Sequence, residues 1–151
     1  VRSAHEMYAA TQEHFMGSDL VVFSAAVADY TPATVASSKI KKKEDTFQLA
    51  LTKTTDIAGT LGGEKKPGQL LVGFALETDN ELENAQKKLI AKNLDYIVLN
   101  SMQDTGAGFA HDTNKITVID REGLIRQFEL KSKQEVAQDI LEIIVEKWSE
   151  V

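Results

Sequence analysis

From Asp19 to Val27 the chain reads DLVVFSAAV, apolar or small almost without a break. Two more such runs follow, QLLVGFALE from Gln69 to Glu77 and LDYIVLN from Leu94 to Asn100. Runs of this kind mark strands covered on both faces, as in a parallel sheet. Between them the pattern turns helical. Ser3 and Glu6 form a capping box that opens a helix to about Phe15, with Met7, Tyr8 and Ala10 inward and Gly17 as the stop. Thr54-Thr55-Asp56 starts a short helix that Gly62-Gly63 ends. Asn80 to Lys92 is amphipathic, with Leu82, Ala85, Leu89 and Ile90 inward. Ser132 and Glu135 form a second capping box before a last helix whose apolar side carries Val136, Ile140, Ile143, Ile144 and Trp148.

Shorter alternating stretches read as hairpins. Ser38–Lys43 and Thr46–Thr52 pair around Glu44-Asp45, after a loop from Tyr30 to Ser38 that Pro32 breaks. Lys115–Ile119 and Leu124–Leu130 pair over Asp120–Gly123. GGEKKPG and SMQDTGAGFAHDTN are loops. Strands alternating with helices predict one α/β domain over residues 1–151, an open, mostly parallel sheet with helices on both faces. Ligands bind such sheets beyond the carboxyl ends of the strands, here Ser24–Asp29, Phe74–Thr78 and Asn100–Asp104.

Composition narrows the chemistry. The chain has 151 residues, a formal net charge of -6 and no cysteine. The acidity argues against general nucleic-acid or anionic-membrane binding. The lack of cysteine removes disulfides, thiolate metal sites and a thiol nucleophile, and is compatible with the cytoplasm. No apolar run reaches the length of a membrane span. Nucleotide fingerprints are absent: GTLGGEKKPG lacks the Walker A order and GAGFAHD lacks the third glycine of a dinucleotide turn. His5, His14 and His111 have no metal-ligand spacing, and Ser24 has no neighbouring base in sequence.

The strand ends say more. Ala25, Ala26 and Ala28 leave the backbone open to a ligand, or to tight helix–sheet packing. Asp29 either caps the loop or binds a ligand's hydroxyls or cations, since an unpaired buried carboxylate is costly. Thr55-Asp56 offers free amides at a helix start, for phosphate or for simple capping. Lys88 and Lys92 share a helix face, which normally is a solvated one. Lys39, Lys41, Lys42 and Lys43 cluster in an acidic chain, and such runs commonly protect an edge strand from aggregation.

Taken in order, the motifs AAVADY, KIKK, GFALETDN and GAGF…DTN resemble those of the bacterial phosphopantothenate–cysteine ligase family, and the likeness spans essentially the whole chain. The resemblance implies a three-layer, Rossmann-like domain with added β-hairpins, the C-terminal portion of a ligase domain. It implies that 4′-phosphopantothenate is activated by CTP, with Mg²⁺ on the phosphates, through an acyl-cytidylate that cysteine then attacks. Phe23, Ser24, Ala25 and Asp29 match the first CTP-contacting segment. Lys39 matches the lysine on which acyl-cytidylate formation depends, the candidate catalytic residue. Thr55, Asp56, Ile57 and Ala58 match another CTP-contacting stretch, where the family often has proline in place of Thr55. Phe74, Lys88 and Lys92 complete the CTP site.

Other expectations follow from the same resemblance. A strand, a glycine-rich turn and a helix that carry an asparagine and part of the phosphate site precede Val1 in full-length members. The 151-residue chain alone is therefore expected to turn over little or nothing. A phosphopantothenoylcysteine decarboxylase is often fused ahead, and no FMN is expected in this portion. A cytoplasmic homodimer is implied, with strands Lys39–Thr52 as the contact. The alternatives are a nucleotide-binding or assembly module without catalysis, and a eukaryotic-type ligase using ATP.

Overall fold

The computed structural model describes residues 1–41, 46–101 and 112–148. In chain order the elements are α1 (Ala4–Phe15), β1 (Leu20–Phe23), β2 (Tyr30–Pro32), β3 (Leu51–Lys53), α2 (Ile57–Gly63), β4 (Leu70–Glu77) and α3 (Glu81–Ala91). There follow β5 (Tyr96–Ser101), β6 (Thr113–Asn114), β7 (Ile116–Asp120), β8 (Ile125–Gln127), β9 (Lys131–Ser132) and α4 (Lys133–Trp148). The main sheet has the order β1-β4-β5-β7-β8. The three long apolar runs supply its parallel members, β1, β4 and β5; β7 and β8 extend it antiparallel.

Alternation along the strands feeds two cores. On one face Leu71, Ala75, Ile97, Leu99 and Ile119 meet Phe15 of α1, Ile57 and Leu61 of α2, and Ala85 and Leu89 of α3. On the other, Leu70, Val72, Tyr96, Val98, Ile116 and Val118 meet Val136, Ile140, Ile143 and Ile144 of α4. Successive side chains point to opposite faces of a strand, so a run apolar at every position needs helices on both sides. The fold is thus the three-layer, Rossmann-like α/β arrangement of the sequence reading.

The capping box at α4 closes; at α1 the Glu6 carboxylate reaches one residue further, to Arg2 rather than Ser3. The Ser3 hydroxyl accepts from the Glu6 amide at 3.2 Å, and the Glu6 carboxylate accepts from the Arg2 amide at 2.6 Å. At α4 the exchange is reciprocal: the Glu135 amide donates to Ser132 Oγ at 3.2 Å and the Ser132 amide to Glu135 Oε2 at 2.9 Å.

Four expectations need correction. The strand predicted over Asp19–Val27 ends at Phe23. The small side chains after it offer little to bury, and Ser24, Ala25 and Ala26 are exposed. The hairpin predicted between Ser38–Lys43 and Thr46–Thr52 is instead a β2–β3 ribbon, in which Tyr30 opposes Lys53 and Pro32 opposes Leu51. Its ends are tied by the Thr54 amide on Asp29 O and the Ala33 amide on Ala50 O, both 2.9 Å. Pro32 is tolerated because the ribbon is all edge. On α3, Ala85 and Leu89 are buried but Leu82 and Ile90 are exposed; Ile90 is turned roughly 100° from Leu89 and leaves the contact line. Trp148, at the last turn of α4, is likewise exposed. The turn Glu44-Asp45, Lys42, Lys43, the GAGF loop and His111 lie outside the described residues.

Candidate functional site

A cavity of about 580 Å³ opens at the carboxyl ends of β1 and β4. α1, α3, the start of α2 and the β2–β3 ribbon, through Tyr30 and Lys53, all contribute to its walls. Its volume suits a small-molecule ligand. The floor is apolar, from Val21, Phe23, Gly73, Phe74, Leu94 and Ile97. The rim is polar, with Ser24, Asp29, Lys53, Thr54, Thr55, Asp56, Lys88 and Lys92. Among the described lining residues there is no histidine, so Ser24 has no imidazole base beside it.

Of the residues singled out in the sequence, Phe23, Ser24, Ala25, Asp29, Thr55, Asp56, Ile57, Ala58, Phe74, Lys88 and Lys92 all line this one cavity. Lys39 does not. It lies on an exposed stretch without regular secondary structure, next to Ile40 and Lys41.

The start of α2 is built around Asp56. Its Oδ1 accepts the Gly59 amide at 3.1 Å and the Lys92 ammonium at 2.9 Å. A Cβ on Gly59 would stand 2.8 Å from Asp56 Oδ2, so glycine is what lets the cap close. The first-turn amide that the sequence offered to a phosphate is therefore already held by Asp56 itself. Burial pushes the Asp56 carboxyl up, but the Lys92 hydrogen bond, the Gly59 amide and the Lys92 charge together hold it below the usual carboxylate range.

Two features of α3 and its end place Lys92. Asn93 takes a left-handed conformation, φ 53°, which ends the helix, and its side-chain amide donates to Gly62 O at 2.7 Å. Gly62 packs against the Lys92 carbonyl so closely that a Cβ there would come within 1.9 Å of it. One turn earlier, Lys88 Nζ meets Glu77 Oε1 at 2.5 Å. Sequence reading missed three contributors: Glu77, which holds Lys88; Thr54, whose hydroxyl donates to Ala28 O at 2.6 Å and pins the ribbon; and Lys53 on the rim. Lys53 was legible only as the lysine two positions before Thr55 in LTKTTD.

Among the described residues no group of three or more metal-ligating side chains occurs. Asp29 offers a carboxylate at the cavity with no hydrogen-bond or ion-pair partner among the described residues, whereas that of Asp56 is engaged. One free carboxylate suits Mg²⁺, which keeps several waters and takes further ligands from substrate phosphates. No helix among the described residues is long and apolar enough to cross a membrane.

The chain is 46% identical over 144 residues to the coenzyme A biosynthesis bifunctional protein CoaBC of Bacillus subtilis, covering 95% of this chain and 35% of that protein. It is 54% identical over 145 residues to a prokaryotic protein named cysteine/cysteine sulfinic acid decarboxylase, covering 96% of this chain and 40% of that protein. The chain thus spans two fifths or less of these relatives. The crystal structure of the C-terminal domain of a CoaBC superposes with a TM-score of 0.79 at 38% identity, covering 100% of this chain and 67% of that one. A DNA/pantothenate metabolism flavoprotein from Streptococcus pneumoniae shares the fold, with a TM-score of 0.79 at 22% identity over 97% of this chain and 71% of that one. Matched over residues 1–147 by the family model, the chain belongs to the DNA/pantothenate metabolism flavoprotein C-terminal domain family.

Proposed function

We propose that the protein carrying this chain ligates 4′-phosphopantothenate to cysteine with CTP, in coenzyme A synthesis, and that the cavity is its nucleotide site. The observation that carries this is the gathering of every candidate CTP-contacting residue except Lys39 around one cavity with an apolar floor and a polar rim. The CoaBC relatives and a Cab2 variant of the same fold, solved with phosphopantothenate-cysteine, support it.

The chemistry asks for charge control and no side-chain nucleophile. A carboxylate oxygen of 4′-phosphopantothenate attacks the α-phosphorus of CTP. The bond to the β-phosphate breaks and pyrophosphate leaves. The cysteine amine then attacks the acyl carbon, the bond to the CMP oxygen breaks, and the amine loses its proton to solvent. Phe23 and Phe74 offer apolar surface to the nucleotide, while the lysines of the rim offset phosphate charge. Mg²⁺, held with help from Asp29, would supply further neutralisation on the phosphates. Lys39 enters as the residue that reaches the reacting phosphate when the exposed stretch carrying it closes over the bound nucleotide.

The ribbon and its flanks expose Tyr30, Val35, Ile40, Phe47, Leu49 and Leu51. Apolar side chains at that density support a homodimer formed through this arm. A fused phosphopantothenoylcysteine decarboxylase fits the chain's share of its relatives.

The test is product formation by the full-length protein with CTP, 4′-phosphopantothenate, cysteine and Mg²⁺, repeated with ATP in place of CTP. Lys39→Gln should lower the rate on the order of 10²- to 10³-fold, and Lys41→Gln should leave it near wild type. A second reading, a nucleotide-binding module without turnover, draws on the position of Lys39 outside the cavity lining. It predicts CTP binding with no product.

A further inference from the structure

We infer that Lys53, the last residue of β3, is the side chain that takes the phosphate chain of the nucleotide in this cavity. The inference rests on the nucleotide reading above and adds to it a residue and an orientation. Three lysines line the cavity against two aspartates. Lys88 is already met by Glu77 at 2.5 Å, and Lys92 by Asp56 at 2.9 Å. A phosphate recruiting either must compete with a carboxylate in contact. The first-turn amide of α2 at Gly59 is likewise taken, by Asp56.

Lys53 differs. Among the described residues its ammonium has no hydrogen-bond or ion-pair partner, yet it lines the cavity. Its backbone is not free to wander. Lys53 opposes Tyr30 in the ribbon, the Thr54 amide donates to Asp29 O at 2.9 Å, and the Thr54 hydroxyl donates to Ala28 O at 2.6 Å. A fixed backbone carrying an unpaired cation at the mouth of a cavity is preorganised for an anion. Asp29, across the same ribbon end, is the rim carboxylate left unpaired. The two together suit a phosphate and its counter-cation. The nucleotide therefore lies with its phosphates toward the ribbon and its base toward Phe23 and Phe74.

The experiment is calorimetric titration of the full-length protein with CTP, CMP and cytidine. Lys53→Gln should weaken CTP about tenfold or more, the scale of one charge-assisted hydrogen bond, and leave cytidine unchanged. Lys53→Arg keeps the charge and should bind CTP within about threefold of wild type. Lys87→Gln, which removes an exposed lysine paired with Glu83 away from the cavity, is the control for general charge. If Lys53→Gln binds CTP as wild type does, or loses cytidine as much as CTP, Lys53 is not the phosphate contact and the inference falls alone. If wild type binds none of the three, the nucleotide reading falls and takes the inference with it.

Discussion

In β4, Leu70, Leu71, Val72, Gly73 and Ala75 are buried, whereas every described residue from Ala28 to Lys53 is exposed. Both regions carry large apolar side chains and both line the cavity. In the floor most such side chains are buried under a helix or strand; in the arm Phe47, Leu49 and Leu51 are each more than half exposed. The floor is thus set by folding alone, and its stability comes from burial. The arm is held by the pairing of β2 with β3 and by backbone hydrogen bonds at its ends, and its apolar side chains are left exposed. The comparison teaches that a site can join a buried half, which shapes the pocket, to an exposed half held by backbone pairing.

Truncation is the harshest way to break this comparison. Leu71→Ala removes a fully buried side chain from between α2, α3 and the sheet, and should cost about 2–5 kcal/mol in denaturant unfolding. Leu51→Ala in the arm should change the same measurement by no more than about 0.5 kcal/mol when recorded on dilute monomer. Equal losses would show the arm to be part of the folding core.

Gly62→Ala tests how the floor positions the rim. The added methyl would meet the Lys92 carbonyl, which cannot swing aside as a side-chain tip could. α2 and the end of α3 must part, at a cost of about 1–3 kcal/mol in urea unfolding. The same movement displaces Asp56, Ile57 and Ala58 at the start of α2, which line the cavity, so nucleotide affinity should fall with stability.

A smaller effect sharpens the comparison through pH. The folded Asp56 carboxyl titrates below its unfolded value. Its contribution is therefore present above the unfolded pKa and lost as pH falls through the folded one. Asp56→Asn should be the less stable protein near neutrality, with the gap to wild type closing below about pH 4. Thermal melts across that range read it directly. The group is largely open to solvent, so the gap itself should be modest.

The floor was legible in the sequence because its signals are local and strong. LLVGFALE and DYIVL can be buried only between two layers, and both capping boxes act within four residues. The lining of the candidate site was legible through its motifs: Asp56, Phe74 and the pair Lys88 and Lys92 come from three separate elements, which the sheet topology brings to one cavity. The ribbon was misread because its pairing partner was chosen by proximity. Lys39 and Lys41 alternate as a strand would, but the bonds from Thr54 to Ala28 and Asp29 fix the register further upstream. The exposure of Leu82 and Ile90 was hidden for another reason. Periodicity reports an apolar face, not how much of that face a neighbour covers. The link of Lys88 to Glu77 left no sequence signal, since it joins the end of a strand to a later helix.

The most direct test withholds cysteine. Full-length protein given CTP, 4′-phosphopantothenate and Mg²⁺ is followed for pyrophosphate. Activation of the carboxylate at this cavity predicts a burst of pyrophosphate that requires 4′-phosphopantothenate, approaches one equivalent per site and leaves an acyl-cytidylate detectable by mass. Tight CTP binding with no pyrophosphate under these conditions would contradict the account and leave the cavity a nucleotide-binding site without chemistry.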